Sequence, residues 1–455
     1  MLCVGTGTFL SSLNTSITNT ILPTIEHSLK ISSGRSEWVV LIYLLVLTMF
    51  LVPIGRFSDL WGHRRIFLAG FALFVCAAVI CGLSRNFPAL LFGRALLAFG
   101  GAMILSVGPA LLSITFPPEQ RGRALGLQAL MTYIGLSLGP VLGGLLTELW
   151  GWQSTFFITV PFGIGGVLLG MLAVPKIVLL DKKLPDLKGI FLFLTVMASI
   201  TLFVNAGVIA YYRAPIMTLL LIIFIAAVCA FIRVERKRAS PMIDLGLFRI
   251  RNFGFGSLGA AFNYLCFFLV MFIIPFYFDR ILHFSALQTG IYLAVTPLVM
   301  TVCAPIAGAL SDKTGTRKLT MLGMFFSALS LALFGIMSHA SAAQSGLLIS
   351  GLVFAGLGTG TFAAPNNSAI LSAAPRSQQG VASGVLATFR YIGMIAGTTI
   401  GASLFNAISD YFSGRQGDAQ SVFLSAFEVV MWIGAAFGVL GLICAYLMRD
   451  RTPDA

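Results

Sequence analysis

From Ile66 to Ser84 the chain reads IFLAGFALFVCAAVICGLS, nineteen residues without a charge, and runs like it recur from one end of the sequence to the other. A run of about 18 or more apolar residues can cross the hydrocarbon core of a bilayer as a helix. In lipid every backbone N–H and C=O must be satisfied by the chain itself, which leaves a chain built of such runs one architecture, a bundle of membrane-crossing helices. A β-barrel is excluded, because its strands alternate polar and apolar residues over about 10 positions. The composition agrees: 58% of the 455 residues are apolar and 10% are charged, against about a quarter charged in a soluble domain. The mean hydropathy is +0.95. The expected fold class is an all-α polytopic membrane protein.

Charged and turn-rich punctuation predicts fourteen spans, over 2–25, 37–57, 65–83, 88–114, 122–147, 154–174, 188–209, 214–233, 254–278, 286–310, 318–338, 344–371, 380–408 and 426–448. With this division, 21 of the 29 Lys and Arg fall on the side that holds both termini, and six on the other. Two, Arg94 and Arg390, lie inside helices. The basic excess marks the cytoplasmic side, so both termini are expected in the cytoplasm of a plasma membrane, the inner membrane of a bacterium. The net charge of +13 is then a topology signature and implies no nucleic acid. No Lys or Arg precedes Lys30, which argues against a cleavable signal peptide; a short cytoplasmic leader is expected to precede the first residue. The seven Cys lie in or at the edges of apolar runs with no paired spacing and read as packing residues. The four His are scattered, so no metal site and no cofactor is expected. No nucleophile–base pattern is present either, which excludes an enzyme.

The chain repeats itself. GRFSDLWGHRR (55–65) and GALSDKTGTRK (308–318) share Gly55, Asp59, Gly62, Arg64 and Arg65 with Gly308, Asp312, Gly315, Arg317 and Lys318, at an offset of 253. RGRALGLQALMTYIGLSLG from 121 and QGVASGVLATFRYIGMIAG from 379 align at 258, with Gly135 and Gly139 finding Gly393 and Gly397. Two agreements at nearly one offset predict two related halves: an N-terminal six-helix bundle over 1–175, two inserted helices with cytoplasmic flanks over 176–238, and a C-terminal six-helix bundle over 239–455. Internal repeats with a site where they meet are the architecture of secondary transporters.

These residues resemble the major facilitator superfamily along essentially the whole chain, and specifically its fourteen-span drug:proton antiporter branch. GRFSDLWGHRR is similar to the loop signature between spans two and three, RALLAFGGAMI (94–104) to the span-four signature with its intramembrane Arg, and GLSLGPVLGG (135–144) to the span-five antiporter signature. The resemblance implies the major facilitator fold, two pseudo-symmetric six-helix bundles plus two additional helices. It also implies a cytoplasmic latch of Gly55, Asp59, Gly62, Arg64, Arg65, Gly308, Asp312 and Arg317, with Asp59 docking at the helix start near Gln379 and Gly380. Gly135, Gly139, Gly143 and Gly144 present a small-residue face for close helix contact, and Pro140 is expected to bend that helix.

An ionisable residue mid-membrane costs about 2.5–3.5 kcal/mol on insertion scales and marks function by default. By resemblance Arg94 takes part in proton transfer; Arg390 serves either an interdomain or structural role or substrate contact. Where the branch carries a carboxylate in span one, this chain has Asn14, which cannot titrate. The acids that remain sit at span ends, and Asp279 and Glu428 join Arg94 as proton-relay candidates. By the superfamily's cavity pattern Asn14, Asn19, Arg94, Asn263, Tyr264, Phe267, Phe362 and Arg390 are the expected substrate-binding residues. Two arginines, amides and many Phe and Met suit neutral or weakly anionic amphiphiles. The function expected is export of small amphipathic molecules by alternating access with proton coupling, by a monomer whose partners are its substrate, protons and membrane lipid. The alternative is export or facilitated passage of one anionic metabolite or lipid without a coupled proton.

Overall fold

A computed structural model describes residues 1–116, 118–174, 187–206, 214–236, 245–337, 344–375, 379–413 and 418–449. The predicted apolar runs form helices because a helix satisfies its own backbone wherever water is absent. In order these are α1 (Leu2–Leu29), α2 (Ser33–Trp61), α3 (His63–Leu83), α4 (Phe87–Thr115), α5 (Pro118–Trp150), α6 (Ser154–Phe157), α7 (Thr159–Ala173), α8 (Leu187–Ala206) and α9 (Ala214–Arg236). After a 3-10 turn at Leu245–Arg249 follow α10 (Arg251–Arg280), α11 (Ala286–Thr314), α12 (Thr316–Met337), α13 (Gln344–Ala373), α14 (Gln379–Ser413) and α15 (Ala419–Leu447).

The ends differ from expectation for local reasons. The sixth span is divided into α6 and α7. The last helix begins at Ala419 instead of 426, because Asp418 caps it, its Oδ2 accepting from the Ser421 N–H at 3.3 Å. At the start of α4, Asn86 Oδ1 accepts from the Ala89 N–H at 2.9 Å.

Twelve helices among the described residues are long and apolar enough to cross a membrane. The two long helices outside that set are α1 and α8. Among the described residues of α8 the apolar stretch is Lys188–Ser199. Helix α1 is too rich in Ser, Thr and Asn, yet most of these side chains are buried. Several of its threonine hydroxyls turn back on their own helix: Thr8, Thr15 and Thr18 donate to the carbonyls of Val4, Ser11 and Asn14 at 3.1, 2.9 and 2.7 Å. A polar residue satisfied within its own turn is tolerated away from water.

The chain forms two compact units, Met1–Met197 with His283–Ala294, and Ala198–Leu282 with Val295–Ala455. In the first, α1 packs against α5, α4 and α7, and α3 against α4 and α7. In the second, α10 packs against α14, α13 and α15, and α12 against α13 and α15. The same five pairings recur, helix for helix.

The repeat holds down to single backbone contacts. A Cβ on Gly100 of α4 would lie 2.8 Å from the backbone nitrogen of Phe74 on α3, and one on Gly358 of α13 would lie 2.8 Å from that of Ser327 on α12. Gly135 and Gly139 press α5 onto α1, where added Cβ atoms would come within 2.7 Å of the Phe9 carbonyl oxygen and 2.6 Å of Ser16 Cβ. Gly393 and Gly397 do the same for α14 on the carbonyls of Ala261 and Leu265 of α10. Side chains at these places would force the backbones apart.

Candidate functional site

In the first unit the polar groups gather around Arg94. It lies seven residues into α4, about 10 Å along the axis, and is 1% exposed. Its Nε–H donates to the Val39 carbonyl of α2 at 2.9 Å, its Nη1 donates to Asn14 Oδ1 of α1, and Cζ stands 4.5 Å above the Tyr43 ring of α2. The guanidinium is thus fixed by a carbonyl, an amide and an aromatic face, all uncharged. Such a mount orients the cation through charge-assisted hydrogen bonds and the ring quadrupole and leaves its charge uncompensated by any of the three. Asn19, farther along α1, is buried, and its Oδ1 has no hydrogen-bond partner.

The second unit holds a related arrangement. Half-buried Arg390 of α14 places Cζ 4.8 Å above the Tyr264 ring of α10. Asn263, fully buried beside it in sequence, donates from Nδ2 to Ser327 Oγ of α12 at 3.1 Å. Phe267 is buried with its ring 5.5 Å from that of Phe268. Phe362 of α13 fills the seam between helices, within reach of a Cβ on Gly259 and Gly323. Asp279 and Glu428 are half-buried and both make polar interactions.

The turn signatures form matched corners. Gly62 and Gly315 adopt φ of 93° and 86°, a region that favours glycine. Ser58 Oγ donates to the Gly55 carbonyl at 2.6 Å, and Ser311 Oγ to the Gly308 carbonyl at 2.7 Å. Arg64 donates from Nη2 to the Met171 carbonyl at 2.5 Å, near the C-terminus of α7, where a cation is favourable. Arg65 is exposed, and Arg317 stacks 4.6 Å over the Tyr446 ring. The side chains of Asp59, Asp312 and Gln379 lie outside the described ones, as do the surroundings of Gly380, and with them the expected docking of Asp59.

On α5, Gly135, Gly139 and Gly143 face α1, while Gly144 and Pro140 meet the start of α11. A Cβ on Gly144 would lie 2.8 Å from Leu287 Cα, and one on Gly290 would lie 2.8 Å from the Pro140 carbonyl carbon. One turn on, Glu148 Oε2 accepts from the Leu287 N–H at 3.2 Å.

Sequence reasoning paired neither Val39 nor Tyr43 with Arg94, and it passed over Ser58 and Ser311, which obey the 253 offset as well as their neighbours do. It also placed the remaining acids at span ends. Glu37 was not singled out among them: it stands at the head of the apolar stretch Arg35–Gly55 of α2, yet it is 0% exposed and neither carboxylate oxygen has a hydrogen-bond partner. The signal was its place at the head of the run 37–57, where it read as a boundary.

Residues 4–397 and 256–455 match the Major Facilitator Superfamily, and the chain belongs to it. It is 34% identical to the riboflavin transporter RibZ of Clostridioides difficile, over 99% of this chain and 97% of that protein. It is 27% identical to the multidrug resistance protein Stp of Mycobacterium tuberculosis, over 90% of this chain and 75% of that protein. Its fold is shared with a crystal structure of the peptide transporter POT in complex with sulfate, at a TM-score of 0.72 and 15% identity, covering 99% of this chain and 95% of that one. The protein is an integral membrane transporter and not an enzyme.

Proposed function

We propose that this transporter is a fourteen-span proton-coupled exporter of small amphipathic molecules carrying a planar ring system, neutral or weakly anionic, working by alternating access between bundles 1–175 and 239–455. The observation that carries the substrate class is the mounting of Arg94 on Asn14, Val39 and Tyr43. A site for lipophilic cations gains from a buried carboxylate; here the span-one position holds an amide and the buried charge is positive. The name of RibZ, a riboflavin transporter, supports a ring-bearing cargo, and that of Stp, a multidrug resistance protein, supports a role in drug efflux. On the expected orientation α1 and α2 meet at the outer face, and the glycine corners at 62 and 315 lie at the cytoplasmic one.

The test is reconstitution into proteoliposomes with an imposed pH gradient and three kinds of probe: riboflavin, an anionic ring compound, and a lipophilic cation. The first two are expected to move uphill with the gradient and the cation is not. Preference for the cation would overturn the substrate class. Movement of the anion alone, indifferent to the gradient, would favour the second reading, a facilitator of one anionic metabolite or lipid, to which the uncharged Asn14 also lends itself.

A further inference from the structure

We infer that Glu37 is the group that binds and releases the coupled proton. The inference rests on the proton-coupled transport proposed above and names the residue that performs it.

Glu37 is the fifth residue of α2, about 6 Å along its axis from the start. It is wholly buried, and both Oε1 and Oε2 lack a hydrogen-bond partner. A buried ionised carboxylate without donor or counter-charge is among the costliest groups a protein can hold. Evolution has an isosteric and uncharged alternative in Gln, so a Glu in this setting needs a reason.

Structural reasons fail one by one. It does not cap α2, since it accepts no backbone N–H. Nor, among the described residues, does it pair with a cation. The described helices packed most closely against α2 are α4, α1 and α3. Helix α4 brings Arg94, whose Nε and Nη1 are taken by Val39 and Asn14. Helix α1 brings Glu26 and His27 at its end; Glu26 Oε2 instead accepts from Ser36 Oγ at 3.4 Å. Helix α3 brings His63, Arg64 and Arg65, at the opposite end of α2 from Glu37. On α2 itself Arg35 is exposed.

What the site does suit is a carboxyl group that alternates between two forms. With its proton on, the neutral acid is buried at far lower cost than the ionised form would be. When α2 presents it to water, the O–H bond breaks, the electron pair stays on the carboxylate and the proton leaves to that water. One proton is carried per cycle, with no other reactant. The remaining candidates serve this less well: Arg94 has Nε and Nη1 committed to Val39 and Asn14, and Asp279 and Glu428 are half-buried with polar partners.

The experiment compares wild type with Glu37→Gln and Glu37→Asp, full length, in lipid nanodiscs and proteoliposomes. Infrared difference spectra between acid and alkaline buffer need no substrate. Wild type is expected to show a protonated-carboxyl C=O band that Glu37→Gln lacks; retention of the same band in Glu37→Gln would overturn the assignment. In proteoliposomes with riboflavin as probe, Glu37→Gln is expected to keep substrate exchange, which moves no net proton, and to lose gradient-driven accumulation. Glu37→Asp is expected to restore accumulation with a shifted pH profile. Loss of exchange as well would make Glu37 a substrate or packing residue and overturn the inference. Accumulation by Glu37→Gln equal to wild type would overturn it while leaving proton coupling intact. No gradient-driven accumulation in wild type would overturn proton coupling itself, and this inference with it.

Discussion

At the scale of single residues, the planarity of Arg94 matters as much as its charge. One flat guanidinium reaches a carbonyl on α2 and an amide on α1 while lying on the Tyr43 ring. A lysine ammonium is a point donor and cannot hold all three. Arg94→Lys is expected to cost about 3 kcal/mol from lost charge-assisted bonding and cation–π contact, read as a lowered unfolding midpoint in detergent, together with loss of transport. The neighbouring change acts on chemistry more than on stability. Asn14→Asp gives Arg94 a counter-charge and a titratable partner, so a new pH-dependent step in transport and a shift toward cationic cargo are expected. A pH–rate profile and a cation/anion competition series, run beside wild type, check both. Arg94 and Asn14 were legible in the sequence because a charge and a missing charge stand out in an apolar run. Val39 and Tyr43 were not, because a backbone carbonyl has no letter of its own and one aromatic among many looks like packing. Glu37 was hidden differently: an acid at the head of an apolar run marks where a span starts, and the letters alone do not show that it is buried there.

At the scale of elements, close contact between helices is set by absent side chains. Gly144→Val would drive atoms into the backbone at Leu287, and overpacking of this kind costs about 1–3 kcal/mol. The expected outcome is a folded protein with impaired transport. Gly165→Ala on α7 is the control, since nothing lies within 4 Å of its added Cβ; it is expected to leave transport unchanged and to stabilise by about 0.5–1 kcal/mol. Thermal unfolding and proteoliposome transport measure both. The positions of the helices were legible from the apolar runs, and their ends were not, because caps such as Asp418 and the break between α6 and α7 are local events. Helix α1 is the instructive case. Its composition falls below that of an ordinary span, but the threonine hydroxyls that lower it are satisfied within the helix.

At the scale of the whole molecule, the described helices of the two units choose the same partners, α1 taking α5, α4 and α7 as α10 takes α14, α13 and α15. The matching corners at Gly62 and Gly315, and the paired glycine contacts on α5 and α14, extend that agreement to the backbone. If α8 and α9 are an insertion outside the two bundles, replacing residues 176–238 by a flexible linker is expected to preserve gradient-driven transport in proteoliposomes. Loss of transport, with the protein still monodisperse in detergent, would place those helices in the pathway.

The meeting of α5 with the start of α11 has a kinetic consequence. Its closest approaches are made by Pro140, Gly144, Ala286 and Gly290, residue types that lose essentially no rotamer freedom when they are buried. A seam of this kind forms with little side-chain freedom lost at those approaches; the flexible group it does have to seat is Glu148, whose Oε2 accepts from the Leu287 N–H. Bulky residues on the same seam would make every closure a search.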